Sequence, residues 1–94
     1  MKNAKAKGAR GEYKSRRLLE SLGYYVVKAG GSLGCFDLVA LSSVEALLIQ
    51  VKHGREWPRP AEIEAMRAVP VPPNARRLVH RWRPRQRVPD VREL

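Results

Sequence analysis

Cysteine occurs once, phenylalanine once and histidine twice in the 94 residues, and Asp plus Glu number 9 against 19 Lys plus Arg. Each shortage excludes something. The single cysteine, Cys35, rules out an internal disulfide and a cysteine zinc cluster, and with no identifiable base nearby it reads as a small packing residue. No apolar run approaches the roughly 20 residues of a membrane span, and no helix pairs a basic face with a broad apolar one. The basic opening "MKNAKAKGARGEYKSRR" is not followed by the apolar core of a signal peptide. An intracellular, nucleoid-associated protein is expected, with neither a membrane nor a small-molecule cofactor as partner. The shortage of acid leaves a net charge of +10, a field that favours polyanions and makes DNA the expected ligand.

The length fits one domain, 1–94, and a chain this short often leans on a second subunit. Residues 1–7 read as a basic arm and 84–94 as a basic tail. From about Gly8 to Leu22 the pattern is helical, with Leu18, Leu19 and Leu22 as a narrow apolar stripe and Gly23 as the stop. Glu12, two turns before Leu19, projects from nearly the same side. "YYVVKA" has strand composition, and "GGSLG" after it is a loop. "CFDLVAL" and "EALLIQVK" are apolar at consecutive positions, as in strands covered on both faces. Pro60 starts a short helix over Ala61 to Val69, and "ARRLVHRW" reads as a last strand. The fold class is α/β, in the order α-β-β-β-α-β around a central mixed sheet.

Three polar residues interrupt the apolar centre. If the two middle strands form a hairpin centred between Ser43 and Val44, Asp37 falls opposite Gln50, and Lys52 shares their face two residues on. A buried charge must be paired, hydrated or metal-bound. An Asp37 to Lys52 ion pair beside a hydrogen-bonded Gln50 satisfies that structurally. The functional alternative adds Glu12: oxygen donors from Glu12, Asp37, Gln50 and the backbone carbonyl of Val51 suit Mg²⁺, with Mn²⁺ as a substitute, and Lys52 assists a metal-bound water. Metal-assisted phosphodiester hydrolysis uses all of these parts. Arg76, Arg77, Arg81, Arg83, Arg85 and Arg87, interleaved with Trp82, are expected to contact phosphates.

Lys7, Gly8 and Ala9 followed by Glu12, then "GYYVVKAGGSLGCFDLVAL" and "LLIQVK", resemble the archaeal-type Holliday junction resolvases of the PD-(D/E)xK nuclease superfamily. The resemblance spans about Lys7 to Lys52. It implies a restriction endonuclease-like core, a homodimer, and a Mg²⁺-dependent DNA endonuclease selective for branched DNA. Glu12, Asp37 and Gln50 would hold metal, Lys52 would assist the attacking water, and Ser32 corresponds to the family's loop serine. Lys28 stands where the family carries a basic residue, and Lys7, Arg10, Lys14, Arg55, Arg81 and Arg83 are further expected DNA contacts. Gln50 departs from the family pattern, which has Glu or Asp there, and weaker metal binding is expected. A non-catalytic DNA-binding or scaffold module on the same fold is the rival reading, and an RNA-binding protein is a third that rests on charge alone.

Overall fold

A computed structural model describes residues 4–29 and 34–94 of the chain, with side chains from Arg10 onward. Helix α1 (Ala4–Ser21) is followed by strands β1 (Tyr25–Lys28), β2 (Leu38–Leu41) and β3 (Ala46–His53), helix α2 (Pro60–Ala68), and strands β4 (Ala75–Trp82) and β5 (Asp90–Glu93). The five strands lie in sequence order in one sheet, antiparallel except for the parallel pair β3 and β4 that α2 connects. The expected α/β restriction endonuclease-like core is present, with one strand more than the sequence pattern gave. That strand, β5, lies in the segment assigned to the basic tail, whose charged sequence carries no apolar alternation. At the other end, α1 takes in Ala4 to Lys7, which were expected in the arm.

Helix α1 docks through a seam of close-set residues. Gly11, Ser15 and Leu19 recur every four positions and are buried against the sheet. A Cβ at Gly11 would meet Val51 Cγ1 at 3.2 Å, so the absent side chain is what allows this approach. The helix ends in a Schellman motif: Tyr24 N–H donates to Leu19 O and Gly23 N–H to Glu20 O, with Gly23 at φ 95°. Only glycine takes that left-handed dihedral without strain.

The central strands β3 and β4 are covered on both faces, as the consecutive apolar positions of "EALLIQVK" predict for β3. Toward α1, Leu19, Val26, Leu38, Ala40, Leu47, Ile49 and Leu78 form one buried cluster. Toward α2, Phe36, Met66 and Val79 form a second, which Cys35 joins as a partly buried neighbour. Beneath α1 lies a buried polar relay in which Trp82 Nε1 donates to Ser15 Oγ at 2.8 Å and Ser15 Oγ lies 2.8 Å from His80 Nδ1. The indole N–H can only donate, so Ser15 Oγ accepts from Trp82. Burial lowers the His80 pKa to about 4, so the ring is neutral.

Candidate active site

The hairpin register is the one the sequence predicts: Leu38 opposes Ile49 and Leu41 opposes Ala46. The ladder ends there, and at Asp37 the chain departs from the register that would set it opposite Gln50. Asp37 N–H donates to Ile49 O, and Asp37 Oδ2 accepts the Val51 N–H at 2.7 Å. Strand β2 begins only at Leu38, so the Asp37 carboxylate supplies the acceptor that a further strand residue would have given. This seats it beyond the end of β2, where the charges of Lys52 and Lys28 both act on it. Burial outweighs them and raises the Asp37 pKa above the ordinary aspartate value. Ile49 O points toward β2, and by the period of two the Val51 carbonyl is directed to the same side.

Glu12 reaches this region from α1. Its Oε1 lies 3.6 Å from Lys28 Nζ, and both residues line a cavity of about 170 Å³ that also touches Leu38, the neighbour of Asp37. Gln50 comes from β3 on the face toward α2, where Val79 of β4 stands opposite it. Two oxygens here are buried without a hydrogen-bond partner, Glu12 Oε1 and Gln50 Oε1. A buried acceptor left unpaired is costly, and carboxylate and amide oxygens of this kind are donors that suit a hard cation. Among the described residues, no group of three His, Cys, Asp or Glu side chains is placed to hold a metal.

Lys52 does not pair with Asp37 as the structural alternative required. Its Nζ lies 3.1 Å from Glu62 Oε2, while Glu62 Oε1 accepts the Arg59 N–H at 2.8 Å. Glu62 thus caps α2 and holds the lysine with the same carboxylate. The backbone hydrogen bond from Arg59 and that from Lys52 lower its pKa. Helical spacing alone makes Glu62 a surface charge of α2. The one signal was its place three residues after Arg59 and two after Pro60, the position of a capping acid.

Of the expected DNA contacts, Arg10, Lys14 and Arg55 are exposed. Arg81 is turned inward: it donates to Asp90 Oδ2 and to Arg55 O, and its guanidinium stacks 4.2 Å from the Trp57 ring centroid. Arg83 also pairs with Asp90, Arg76 with Glu93 and Glu45, and Arg77 donates to Val69 O. Four of the six arginines expected to face phosphates are therefore engaged within the fold. For Arg76, Arg81 and Arg83 the reason is β5, whose register sets Asp90 opposite Arg81 and brings Glu93 within reach of Arg76. Ser32 lies outside the described residues, as does the side chain of Lys7.

Neither a protein-family model nor a curated protein sequence matches the chain. A solved structure does: Hjc of Archaeoglobus fulgidus, a Holliday junction resolvase from an archaeal hyperthermophile. It is similar with a TM-score of 0.68 and 26% identity over 94% of this chain and 71% of that one. The family resemblance that Glu12, Asp37 and the Gln-x-Lys strand first suggested is borne out by the structure: the chain has the restriction endonuclease-like fold of an archaeal Holliday junction resolvase.

Proposed function

We propose that the protein is a structure-selective DNA endonuclease that hydrolyses phosphodiesters in branched DNA. What supports the reading is the resolvase-like fold of a strongly basic chain in which Glu12 Oε1 and Gln50 Oε1 are buried without hydrogen-bond partners. Glu12, Asp37, Gln50 and the Val51 carbonyl would hold Mg²⁺, or Mn²⁺ in its place. Bound there, the ion would supply a Lewis acid for the phosphodiester and lower the pKa of a water.

The chain's own groups have definite parts in this scheme. The Val51 N–H orients the Asp37 carboxylate, and Glu62 holds the Lys52 ammonium in place. A fixed ammonium is suited to stabilise the negative charge that accumulates on phosphate during attack. Lys28 offsets the charge of Glu12 until a cation binds. Gln50 leaves the site one negative charge short of the family pattern, so metal binding is weaker than a glutamate would give. A homodimer belongs to the same proposal. It is supported by the uncovered side of β1 and β2, where Tyr25, Val27 and Leu41 are exposed on one face at the sheet edge.

The test is incubation with four-way, nicked and linear DNA in Mg²⁺, Mn²⁺ or EDTA. Cleavage is expected to need the metal and to fall on the order of a hundredfold or more in Asp37→Asn and Lys52→Ala. Gln50→Glu is expected to lower the Mg²⁺ concentration required. Unchanged cleavage in both of the first two variants removes the site assignment, and tight binding with no cutting under any condition favours the non-catalytic module.

A further inference from the structure

The side of α1 that faces away from the sheet is as organised as the seam beneath it. Opposite Gly11, Ser15 and Leu19 stand Tyr13 and Arg17, flanked by Arg10 and Lys14. Tyr13 is 60% exposed, although it is a large aromatic with no core to fill. Its ring borders two cavities, one on each flank of the helix. The first is the cavity of Glu12 and Lys28 that leads to the candidate active site. The second has a volume of about 510 Å³, and Lys14, Arg17, Trp82, Gln86 and Arg87 line it with Tyr13.

The second cavity has the chemistry of a strand-binding groove. Three cations line it and no carboxylate does. Asp90, which accepts a hydrogen bond from Gln86 at the rim, is already held by Arg81 and Arg83. The cations are braced on aromatic rings: Lys14 Nζ lies 5.4 Å from the Trp82 centroid and the Arg17 guanidinium 5.9 Å from that of Tyr13. Bracing lowers the entropy lost when these side chains meet an anion. Cations that track a backbone, joined to an exposed aromatic face, are the pattern by which proteins hold single nucleic-acid strands.

We propose that Tyr13 and the groove of Lys14, Arg17 and Arg87 form a second DNA-strand site, in which the phenol ring stacks on an unpaired base where two DNA arms diverge. One strand lies in the Glu12 flank and the other in the basic flank, with the helix crest between them. The site deepens the nuclease reading by naming what selects branched over linear substrate, and it takes from that reading only the identity of the polyanion.

The experiment is binding in EDTA, where cleavage is suppressed, to a four-way junction and a linear duplex of equal length, with 2-aminopurine at the branch. Variants are Tyr13→Ala, Tyr13→Phe and the double variant Arg17→Gln with Arg87→Gln, all at exposed positions. Tyr13→Ala is expected to weaken junction binding about tenfold or more, to spare linear duplex, and to abolish the 2-aminopurine quenching that wild type and Tyr13→Phe produce. The arginine pair is expected to flatten the dependence of log K on log salt by up to about 1.8. Equal effects of Tyr13→Ala on both DNAs, no effect on either, or an unchanged salt slope in the arginine variant overturns the second site. If wild type cleaves DNA through Asp37 and Lys52 while these binding effects are absent, the nuclease reading stands and the second site falls. If the binding effects appear without cleavage, the reverse holds. No affinity for DNA overturns both.

Discussion

Strand β4 and helix α1 are both cation-rich, and they differ in what stands against them. The arginines of β4 and its following turn meet acids of β5 and the β2–β3 turn: Arg76 meets Glu93 and Glu45, and Arg81 and Arg83 share Asp90. Along α1, Arg16 pairs with Glu20, while among the described residues Arg10, Lys14 and Arg17 have no carboxylate within ion-pair distance. Equal charge in the sequence therefore becomes a solvated clamp in one region and an open positive field in the other. Only the second is available to a polyanion without first breaking a bond inside the protein. The means of attachment differ as well. Helix α1 is fixed by apolar contact and the Trp82, Ser15 and His80 relay, whereas the β4 and β5 ribbon adds ion pairs, from the part-buried Arg81 and Asp90 to the exposed Arg76 and Glu93, to its backbone ladder.

The largest expected effect comes from breaking the attachment of α1. Ser15→Ala leaves the Trp82 indole N–H and His80 Nδ1 buried without partners, at a cost of about 2 kcal/mol. Urea unfolding monitored by tryptophan fluorescence measures it, and the loss should be the same at low and high salt. A change below the error of the extrapolation would mean that the relay contributes no net stability.

A second test turns one region into the other. Asp90→Ala removes the acid that Arg81 and Arg83 share, so it should lower the melting temperature and at the same time strengthen DNA binding at low salt. The slope of log K against log salt should steepen by up to about 0.9 for each arginine freed. An unaltered slope would show that neither guanidinium reaches phosphate once released.

The smallest effect is in the pH dependence, where the two regions separate by range. The folded-state pKa of His80 lies near 4, below its ordinary 6.5, so its contribution to stability is present above 6.5 and is lost as pH falls from 6.5 toward 4. Asp90 and Glu93 are lowered from 3.8 and 4.5, chiefly by hydrogen bonds from arginine, so their contribution is lost only as pH falls below those values. Being on the edge strand β5, they should also lose it in high salt, whereas the His80 step should persist. Asp37 has the opposite sign. Burial raises its pKa, so the ionised carboxylate opposes folding at neutral pH, and Asp37→Asn should raise the melting temperature of the metal-free protein. A lower melting temperature in that variant would mean that the Val51 hydrogen bond outweighs the desolvation.

The hairpin register was legible because a hairpin obeys short-range rules: the turn at Ser42 and Ser43 sets it, and the period of two puts Gln50 and Lys52 on one face. The departure from that register at Asp37, whose N–H meets Ile49 O, was not legible. Glu12 was legible from the helical repeat to Leu19. Glu62 was not, since its approach to Lys52 depends on the angle at which α2 returns across the sheet, which no local pattern encodes. The arginine run was misread for a related reason. Strand β5 is short, polar and lies at the edge, so its composition could not distinguish it from a tail, and without it the acids facing β4 were invisible.

By itself the sequence determined the excess of positive charge, the two-sided strands, the hairpin register and the glutamine that precedes Val51 and Lys52, because each depends on residue type and spacing along the chain. Tertiary structure decided which cations remain open to a ligand, which carboxylate holds Lys52, and that Tyr13 crests a helix between two grooves. Those outcomes depend on which strand pairs with which and how the helices cross the sheet, and such long-range geometry places residues together that the chain keeps far apart.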